Sequence, residues 1–260
     1  QVGGLKANQI AVLSTTQVAA MTTSQVAALS NAQVIALTTA QVSTLNTTTL
    51  GALTTAQVGA LEVADVASLT TASMAALKTT QVGGLTATQL AGLTTTQAAA
   101  LTTTLVVALT TTQVGSLSTA GIGVLTTANL VALTTTQVGG LTAKQIAVLS
   151  TTQVAAMTTN QVGALSSAQV IALTTAQVST LNTTTLGALT TTQVAVLEVA
   201  DVASLTTASM AALKTTQVGG LTATQLAGLT TAQVAALTTT LVGVLTTTQV
   251  GSLNTAGVGA

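Results

Sequence analysis

The sequence predicts an all-α fold: a superhelical solenoid of very short helices, each about two turns long, with one helix per eight-residue repeat. Three observations predict this fold. Leucine or methionine recurs every eight residues from Leu5 to Leu253, a second aliphatic position keeps the same interval, and a helix start signal stands between the two in most repeats. We write the octad as Leu-Thr-Thr-x-Gln-Val-x-x and number its positions from the leucine, so that the valine is position 6.

The helix start signal is a capping box. Position 2 is Ser, Thr or Asn in 27 of 32 octads, and position 5, three residues later, is Gln in most of them. In a capping box the N-cap hydroxyl accepts from the backbone N–H of residue N3, while the N3 side chain accepts from the backbone N–H of the N-cap residue. The Leu before the N-cap and the Val after N3 occupy the two positions of a hydrophobic staple. The capping residues predicted from representative octads are Thr22, Gln25, Thr38, Gln41, Glu62, Asp65, Glu198 and Asp201.

Positions 1 and 6 are predicted to form the apolar core. One octad alone cannot offset the entropy of ordering its backbone, so neighbouring repeats have to stack and share one core. Positions 7 and 8 are mostly Ala, Gly or Ser, which lets backbones approach, and the outer surface of the expected narrow rod is Thr, Ala and Gln. Representative core residues are Leu13, Val18, Leu29, Val34 and Leu37.

Two other folds compete with the short helices. One continuous helix fails because eight residues leave a drift of about 80° per repeat, and the apolar stripe would wind around the helix. A β-solenoid or cross-β fibre stays open as the alternative, although the odd spacing of Leu and Val would place them on opposite faces of a sheet. Against the helical interpretation, no Pro or regularly placed Gly marks the helix ends.

The whole chain, residues 1–260, is predicted to be a single octapeptide array. A longer repeat lies on top of the octads: the segment that begins at Gln9 returns at Gln145, an offset of 136 residues. Duplication of a block explains the offset, with a first block at 1–136 and a second, incomplete copy at 137–260. The chain begins inside a repeat, and we expect it to be part of something longer.

Composition argues against catalysis, cofactors and most ligands. The chain has no His, Cys, Trp, Tyr or Phe, and 3% of its residues are charged, with four Lys+Arg and four Asp+Glu. We therefore expect no catalytic residues, no metal site, no cofactor, no small-molecule substrate and no nucleic-acid partner. No apolar run is long enough to cross a membrane. The only carboxylates, Glu62 with Asp65 and Glu198 with Asp201, are interpreted as helix caps rather than acid–base or calcium groups.

Tandem Leu-Thr-Thr-x-Gln-Val-x-x units, such as those from Leu133 to Leu173, resemble the repeat tracts of very large bacterial secreted or surface proteins of the adhesin type. The resemblance covers the whole chain and implies an extracellular or cell-surface location. It also implies a structural role in a filament, surface layer or adhesin stalk, and the low surface charge favours self-association. The alternative function is an ice- or surface-binding protein that uses regular Thr arrays.

Overall fold

The computed structural model describes residues 2–254, and this part of the chain is helical with no β-strand. A short 3₁₀ helix at Val2–Gly4 is followed by 31 α-helices, one in each octad. This confirms the predicted all-α solenoid of very short helices. The helices are shorter than the expected two turns, because each has only four to six residues and ends before the next position-1 leucine.

The helices fall into two compact units, residues 1–133 and 134–260. In the first unit they are α1 (Ala7–Ala11), α2 (Thr15–Ala19), α3 (Thr23–Ala27), α4 (Asn31–Ile35), α5 (Thr39–Val42), α6 (Thr47–Leu50), α7 (Thr55–Ala60), α8 (Val63–Ser68), α9 (Thr71–Ala75), α10 (Thr79–Gly83), α11 (Ala87–Ala91), α12 (Thr95–Ala99), α13 (Thr103–Ala108), α14 (Thr111–Ser116), α15 (Thr119–Gly123) and α16 (Thr127–Ala132). In the second unit they are α17 (Thr135–Gly139), α18 (Ala143–Ala147), α19 (Thr151–Ala156), α20 (Thr159–Gly163), α21 (Ser167–Ile171), α22 (Thr175–Val178), α23 (Thr183–Leu186), α24 (Thr191–Ala195), α25 (Val199–Ser204), α26 (Thr207–Ala211), α27 (Thr215–Gly219), α28 (Ala223–Ala227), α29 (Thr231–Ala235), α30 (Thr239–Val242) and α31 (Thr247–Ser252).

Within each unit the chain coils with three helices per turn. Every helix packs against the helix three places along the chain, so α1 contacts α4, α4 contacts α7, and α2 contacts α5. In the second unit α17 contacts α20 and α20 contacts α23 in the same way. One coil therefore takes three octads, and equivalent positions on one face are 24 residues apart. The number of octads in a coil was not deducible from the octad pattern alone.

The chain changes direction at each octad without a glycine stop signal. After α7, Leu61 takes φ −59° and ψ 143°, and the next residue, the N-cap Glu62, is also extended at φ −69° and ψ 156°. Two successive extended residues break the helix, and no residue with positive φ occurs between residues 2 and 254. This explains why the sequence needs neither Pro nor obligate Gly at the joints.

Positions 1 and 6 form the core of both units. Val18 and Val34 are fully buried, and Leu29 and Leu37 are each 5% exposed. Leu13 is only half-buried, because it belongs to the first coil and no described coil precedes it. In the second unit the same two positions are buried, for example at Val178.

Small residues at positions 7 and 8 allow successive coils to approach closely. A Cβ atom at Gly84, after α10, would lie 2.6 Å from the carbonyl oxygen of Thr55 in α7. A Cβ atom at Gly92 would overlap Cγ1 of Val63. Contact with the preceding coil therefore favours glycine at both places, through backbone at Gly84 and through a valine side chain at Gly92.

Candidate functional site

The glutamine at position 5 makes the most extensive side-chain contacts in the octad. In α11 the Gln89 side-chain oxygen, Oε1, accepts a hydrogen bond from the backbone N–H of Thr86 at 2.7 Å. The backbone N–H of Gln89 donates in return to the Thr86 hydroxyl at 3.2 Å. These two bonds complete a capping box at the start of the helix.

The other half of the same amide group reaches the preceding coil. The Gln89 side-chain nitrogen, Nε2, donates to the carbonyl oxygens of Val58 at 3.0 Å and Leu61 at 2.6 Å. Those carbonyls lie at the end of α7, where a helix leaves its last acceptors without intrahelical donors. One buried side chain thus caps the start of its own helix and satisfies the end of another helix four octads earlier.

The expectation that Gln lies on the outer surface is therefore wrong. Gln89 is 2% exposed, and Gln41 is also 2% exposed while it donates to Ile10 and Leu13 of the first coil. The interaction recurs wherever a preceding coil of the same unit supplies the carbonyl. Side-chain nitrogens of this set donate to the position-1 carbonyl 28 residues earlier at 2.6–2.8 Å: Gln33, Gln41, Gln57, Gln81, Gln89, Gln97, Gln113, Gln169, Gln177, Gln193, Gln217, Gln225, Gln233 and Gln249. We call this set the glutamine ladder.

A signal for the glutamine ladder is present in the sequence. A capping box accepts Glu as readily as Gln, because it uses only the side-chain oxygen. Position 5 is nevertheless never Glu in this chain. A carboxylate is nevertheless accommodated at position 5 in Asp65 and Asp201. The preference for Gln over Glu fits a side chain that also donates, and the two buried carbonyls at the helix end of the preceding coil accept that bond.

The representative capping residues of the early octads lie at helix starts. The Thr22 hydroxyl accepts from the N–H of Gln25 at 3.3 Å, and the Gln25 Oε1 accepts from the N–H of Thr22 at 2.8 Å. Thr38 and Gln41 exchange the same bonds at 3.3 and 2.7 Å. Gln25 is half-buried, whereas Gln41 is buried beneath the preceding coil.

The two carboxylates of α8 differ sharply in environment. Asp65 is 1% exposed, and its Oδ2 accepts from the N–H of Glu62 at 3.2 Å. Its Oδ1 accepts from the hydroxyl of Thr39, in the preceding coil, at 2.9 Å. Glu62 occupies the N-cap position, but its side chain is exposed and accepts no hydrogen bond from the helix. Asp65 alone therefore uses its carboxylate at this helix start.

The duplicated copy repeats this geometry in the second unit. The Oδ2 of Asp201 accepts from the N–H of Glu198 at 3.1 Å, and its Oδ1 accepts from the Thr175 hydroxyl at 2.8 Å. Asp201 is fully buried, and Glu198 again makes no side-chain cap. The role of Thr39 and its copy was not identified from the sequence, because it depends on which octads are neighbours in the coil.

A face of each unit carries one exposed Thr column at the first helical position. In the first unit the column follows the packed series α3, α6, α9, α12 and α15, and in the second it follows α17, α20, α23, α26 and α29. We call these columns the threonine faces. Their members are Thr23, Thr47, Thr71, Thr95 and Thr119 in the first unit, and Thr135, Thr159, Thr183, Thr207 and Thr231 in the second.

The threonine faces are uncharged and hydroxylated along their length. All their Thr residues are exposed except Thr159, which is half-buried. The neighbouring series α2, α5, α8, α11 and α14 carries Val63 and Ala87 at the equivalent position, so its Thr column is interrupted. The Thr columns have this continuity because three octads make one coil.

An open depression with a volume of about 590 Å³ lies on the second threonine face. It is shallow and is lined by small or polar residues that carry no charge. They are Thr135, Thr159, Asn160, Gly163, Ala164 and Ala188.

The described part of the chain has no cluster of metal ligands. Residues 2–254 contain no group of three or more His, Cys, Asp or Glu side chains that could hold a metal ion. Over the same range, every helix falls short of the length and apolar character that crossing a bilayer requires.

Comparison with known proteins identifies the repeat. The sequence model of the family described as the ALTTAQ repeat matches ten segments that together cover most of the chain: residues 1–31, 26–63, 34–71, 58–95, 66–103, 106–135, 119–151, 144–175, 194–231 and 202–239. No curated protein matches the chain. A crystal structure of the leucine-rich repeat-containing protein LegL7 from Legionella pneumophila aligns over 90% of this chain and 79% of that one, at 10% identity. Its TM-score is 0.23, which supports no argument about the fold.

Proposed function

We propose that this chain, which belongs to the ALTTAQ repeat family, is a non-catalytic structural segment of a bacterial extracellular filament, surface layer or giant adhesin stalk. The observation that carries the proposal is the glutamine ladder. It ties each coil to the one before it through buried hydrogen bonds, for example from Gln57 to Leu29 at 2.6 Å and from Gln89 to Leu61 at 2.6 Å. Such an arrangement can be extended by adding octads without changing its internal contacts.

The distribution of charge supports a role in self-association. The chain has four basic and four acidic residues in 260, so copies repel one another weakly. Exposed Thr columns present hydroxyl groups that can both donate and accept between copies. Lateral contact between threonine faces is the association that this surface favours.

Electron microscopy of the purified chain tests the structural proposal. We expect elongated particles in negative stain, and lateral assemblies as the protein concentration rises. Compact monomeric particles at every concentration would contradict the proposal. The matched control is the double variant Thr71→Lys and Thr95→Lys, which adds two positive charges to the exposed first threonine face. Assembly should fall in this variant while its far-UV circular dichroism spectrum stays helical.

A second candidate function is binding to ice or another regular hydrated surface. The observation that favours it is the uninterrupted Thr column, one exposed hydroxyl per coil from Thr23 to Thr119. Thermal hysteresis and ice-crystal shaping measure this function directly. Activity in the parent chain that disappears in the Thr71→Lys, Thr95→Lys variant would support it, and normal crystal growth at high protein concentration would reject it.

A further inference from the structure

Asn46 and Asn182 differ from every other asparagine in the chain. Each is followed two residues later by Thr, so each forms an Asn-Thr-Thr segment, and no other Asn in the sequence has Ser or Thr at that spacing. They occupy the N-cap positions of α6 and its duplicate α23. Asn-x-Thr is the acceptor motif for attachment of a sugar to the asparagine side-chain nitrogen.

The local geometry leaves the asparagine nitrogen free while its oxygen is engaged. The Asn46 Oδ1 accepts from the backbone N–H of Thr48 at 3.0 Å and of Thr49 at 2.9 Å. The Asn182 Oδ1 accepts from Thr184 and Thr185 at the same two distances, 3.0 and 2.9 Å. Asn46 and Asn182 are exposed, and the hydrogen bonds of their side chains use Oδ1 rather than Nδ2.

The residue two places after each asparagine decides whether that asparagine can serve as an acceptor. After an N-cap Asn, the residue two places on is the second helical residue, which is exposed at Thr48 and at Thr184. After Asn31, at the first helical residue, that place is taken by the buried ladder residue Gln33. After Asn160 it is taken by core residue Val162. Among the asparagines of residues 2–254, only Asn46 and Asn182 are followed two places on by an exposed hydroxyl.

Asn129 shows the contrasting environment. It stands at the ladder position of α16, is 3% exposed, and its Nδ2 donates to the carbonyl oxygen of Leu101 at 2.7 Å. Its nitrogen is committed to the coil-to-coil contact and is shielded from any enzyme. Only the N-cap asparagines combine an exposed amide with a neighbouring exposed hydroxyl.

The geometry points to Asn46 and Asn182 as two N-glycosylation acceptor sites for a separate glycosyltransferase. The donor class is a glycosyl diphosphate, either a nucleotide-activated hexose or a polyprenyl diphosphate oligosaccharide. The Nδ2 atom forms a bond to the anomeric carbon and gives up one proton to a base of the transferase. The bond from that carbon to the diphosphate oxygen breaks, and the diphosphate leaves with the electron pair.

Attachment of a sugar leaves the helix cap in place. The capping atom is Oδ1, whereas the sugar is joined through Nδ2, so both backbone N–H groups of α6 keep their acceptor. Both sites also lie on the threonine faces, so a glycan there would compete with lateral contact between those faces. That the chain encounters a glycosyltransferase in the cell rests on the proposed function, whereas the acceptor chemistry of the two asparagines does not.

In vitro glycosylation of the folded 260-residue chain tests this inference. The chain is produced in a host without N-glycosylation and incubated with an Asn-x-Thr-specific transferase. One arm uses nucleotide-activated glucose and its cognate enzyme, and the other uses a polyprenyl diphosphate oligosaccharide and its enzyme. Intact mass spectrometry should show two additions per chain in at least one arm, and peptide mapping should place them at Asn46 and Asn182.

Three variants make the result specific. Asn46→Gln combined with Asn182→Gln should abolish both additions. Thr48→Ala should abolish only the addition at Asn46, while the cap persists because it uses the backbone N–H of residue 48. Thr94→Asn creates an Asn-Thr-Thr segment at an exposed N-cap and should raise the number of additions to three. No addition to the folded parent chain in either arm, or equal modification of the Thr48→Ala variant at Asn46, would overturn the inference.

Discussion

Two neighbouring stretches of the first unit are alike in their core and different in their polar contacts. Residues 78–101 form one coil, with α10, α11 and α12, and all three helices carry a ladder glutamine: Gln81, Gln89 and Gln97. Residues 46–77 carry α6 to α9, and only α7 has one. The position-1 and position-6 residues are buried in both stretches, with 1% exposure at Leu50 and 0% at Leu90.

The comparison separates two contributions to the fold. The aliphatic side chains are buried whether or not the ladder glutamine is present, so burial of Leu and Val is sufficient to keep the helices stacked. The glutamine adds hydrogen bonds from one coil to the carbonyls of the previous coil. We expect the stability of the glutamine-rich coil to depend strongly on its side-chain amide groups. The stability of the glutamine-poor stretch should depend on them little.

The largest expected effect is that of Gln89→Glu. The carboxylate would keep the capping oxygen but would face the carbonyl oxygens of Val58 and Leu61, where Gln89 now donates at 3.0 and 2.6 Å. A buried charge with acceptors on both sides should lower the free energy of unfolding by about 3–5 kcal/mol. Urea denaturation followed by circular dichroism at neutral pH measures the loss.

Gln17→Glu is the matched control for this substitution. Gln17 is exposed, and its Oε1 accepts from the N–H of Ser14 at 2.8 Å, as in any capping box. The same chemical change should therefore alter the free energy of unfolding by no more than about 0.5 kcal/mol, since a carboxylate near a helix start is tolerated. Equal losses in the two variants would mean that the donor function of the buried amide is unimportant.

Removal of a ladder side chain should have the next largest effect. Gln97→Ala deletes the bonds from Nε2 to Val66 and Leu69, at 2.8 and 2.7 Å, and leaves buried acceptors with fewer partners. We expect a loss of about 2–3 kcal/mol in the free energy of unfolding. Ser73→Ala at the equivalent place in α9 should cost under about 1 kcal/mol, because the Ser73 hydroxyl bonds only within its own helix start, to Thr70 at 3.0 Å. A Ser73→Ala loss as large as that of Gln97→Ala would contradict the comparison.

The octad pattern was sufficient to predict the local structure. The spacing of the Thr and Gln residues predicted one helix start per octad, and the aliphatic columns predicted the core, because both depend on contacts within about eight residues of chain. Helix ends were harder to predict. The end of α7 depends on the extended Leu61 and on the hydrogen bond that the side-chain nitrogen of Gln89, 28 residues further along the chain, donates to the carbonyl of Leu61.

The features that the sequence left open are those set by the coil. The burial of Gln41, the bond from Thr39 to Asp65 and the continuity of the threonine faces all require knowledge that three octads make one turn. The number of octads in a turn cannot be predicted from an eight-residue repeat, since it follows from how successive helices pack in space. The preference for Gln over Glu at position 5 was the one local sign of a contact between coils.

Asp65→Gln should add the contact of the glutamine ladder to an octad that lacks it. The longer amide can accept from the N–H of Glu62 and donate to the carbonyl of Leu37, the position-1 residue 28 places earlier, as Gln57 does to Leu29 at 2.6 Å. Thr39 loses its acceptor but is exposed and can bond to water. We expect a gain of about 1 kcal/mol in the free energy of unfolding, measured by urea denaturation. Asp201→Gln in the duplicated copy is an internal repeat of the measurement, and a loss of stability at both sites would show that the carboxylate is preferred there.

The smallest expected effect is that of Asn46→Thr, in an octad whose position 5 is Thr49. This octad has no glutamine whose side-chain oxygen could accept from the backbone N–H of the N-cap residue. Asn46 instead caps the helix by accepting from two backbone N–H groups, those of Thr48 and Thr49. A threonine hydroxyl in the glutamine octads accepts from only one, as Thr94 does from the N–H of Gln97 at 3.2 Å. The backbone N–H of residue 48 would then donate to water instead of to the cap, which should lower the free energy of unfolding by about 0.5 kcal/mol. Hydrogen exchange at residues 48 and 49 resolves so small a change: faster exchange at residue 48 with little change at residue 49 is expected, and equal acceleration at both would show that Thr cannot replace the cap at all.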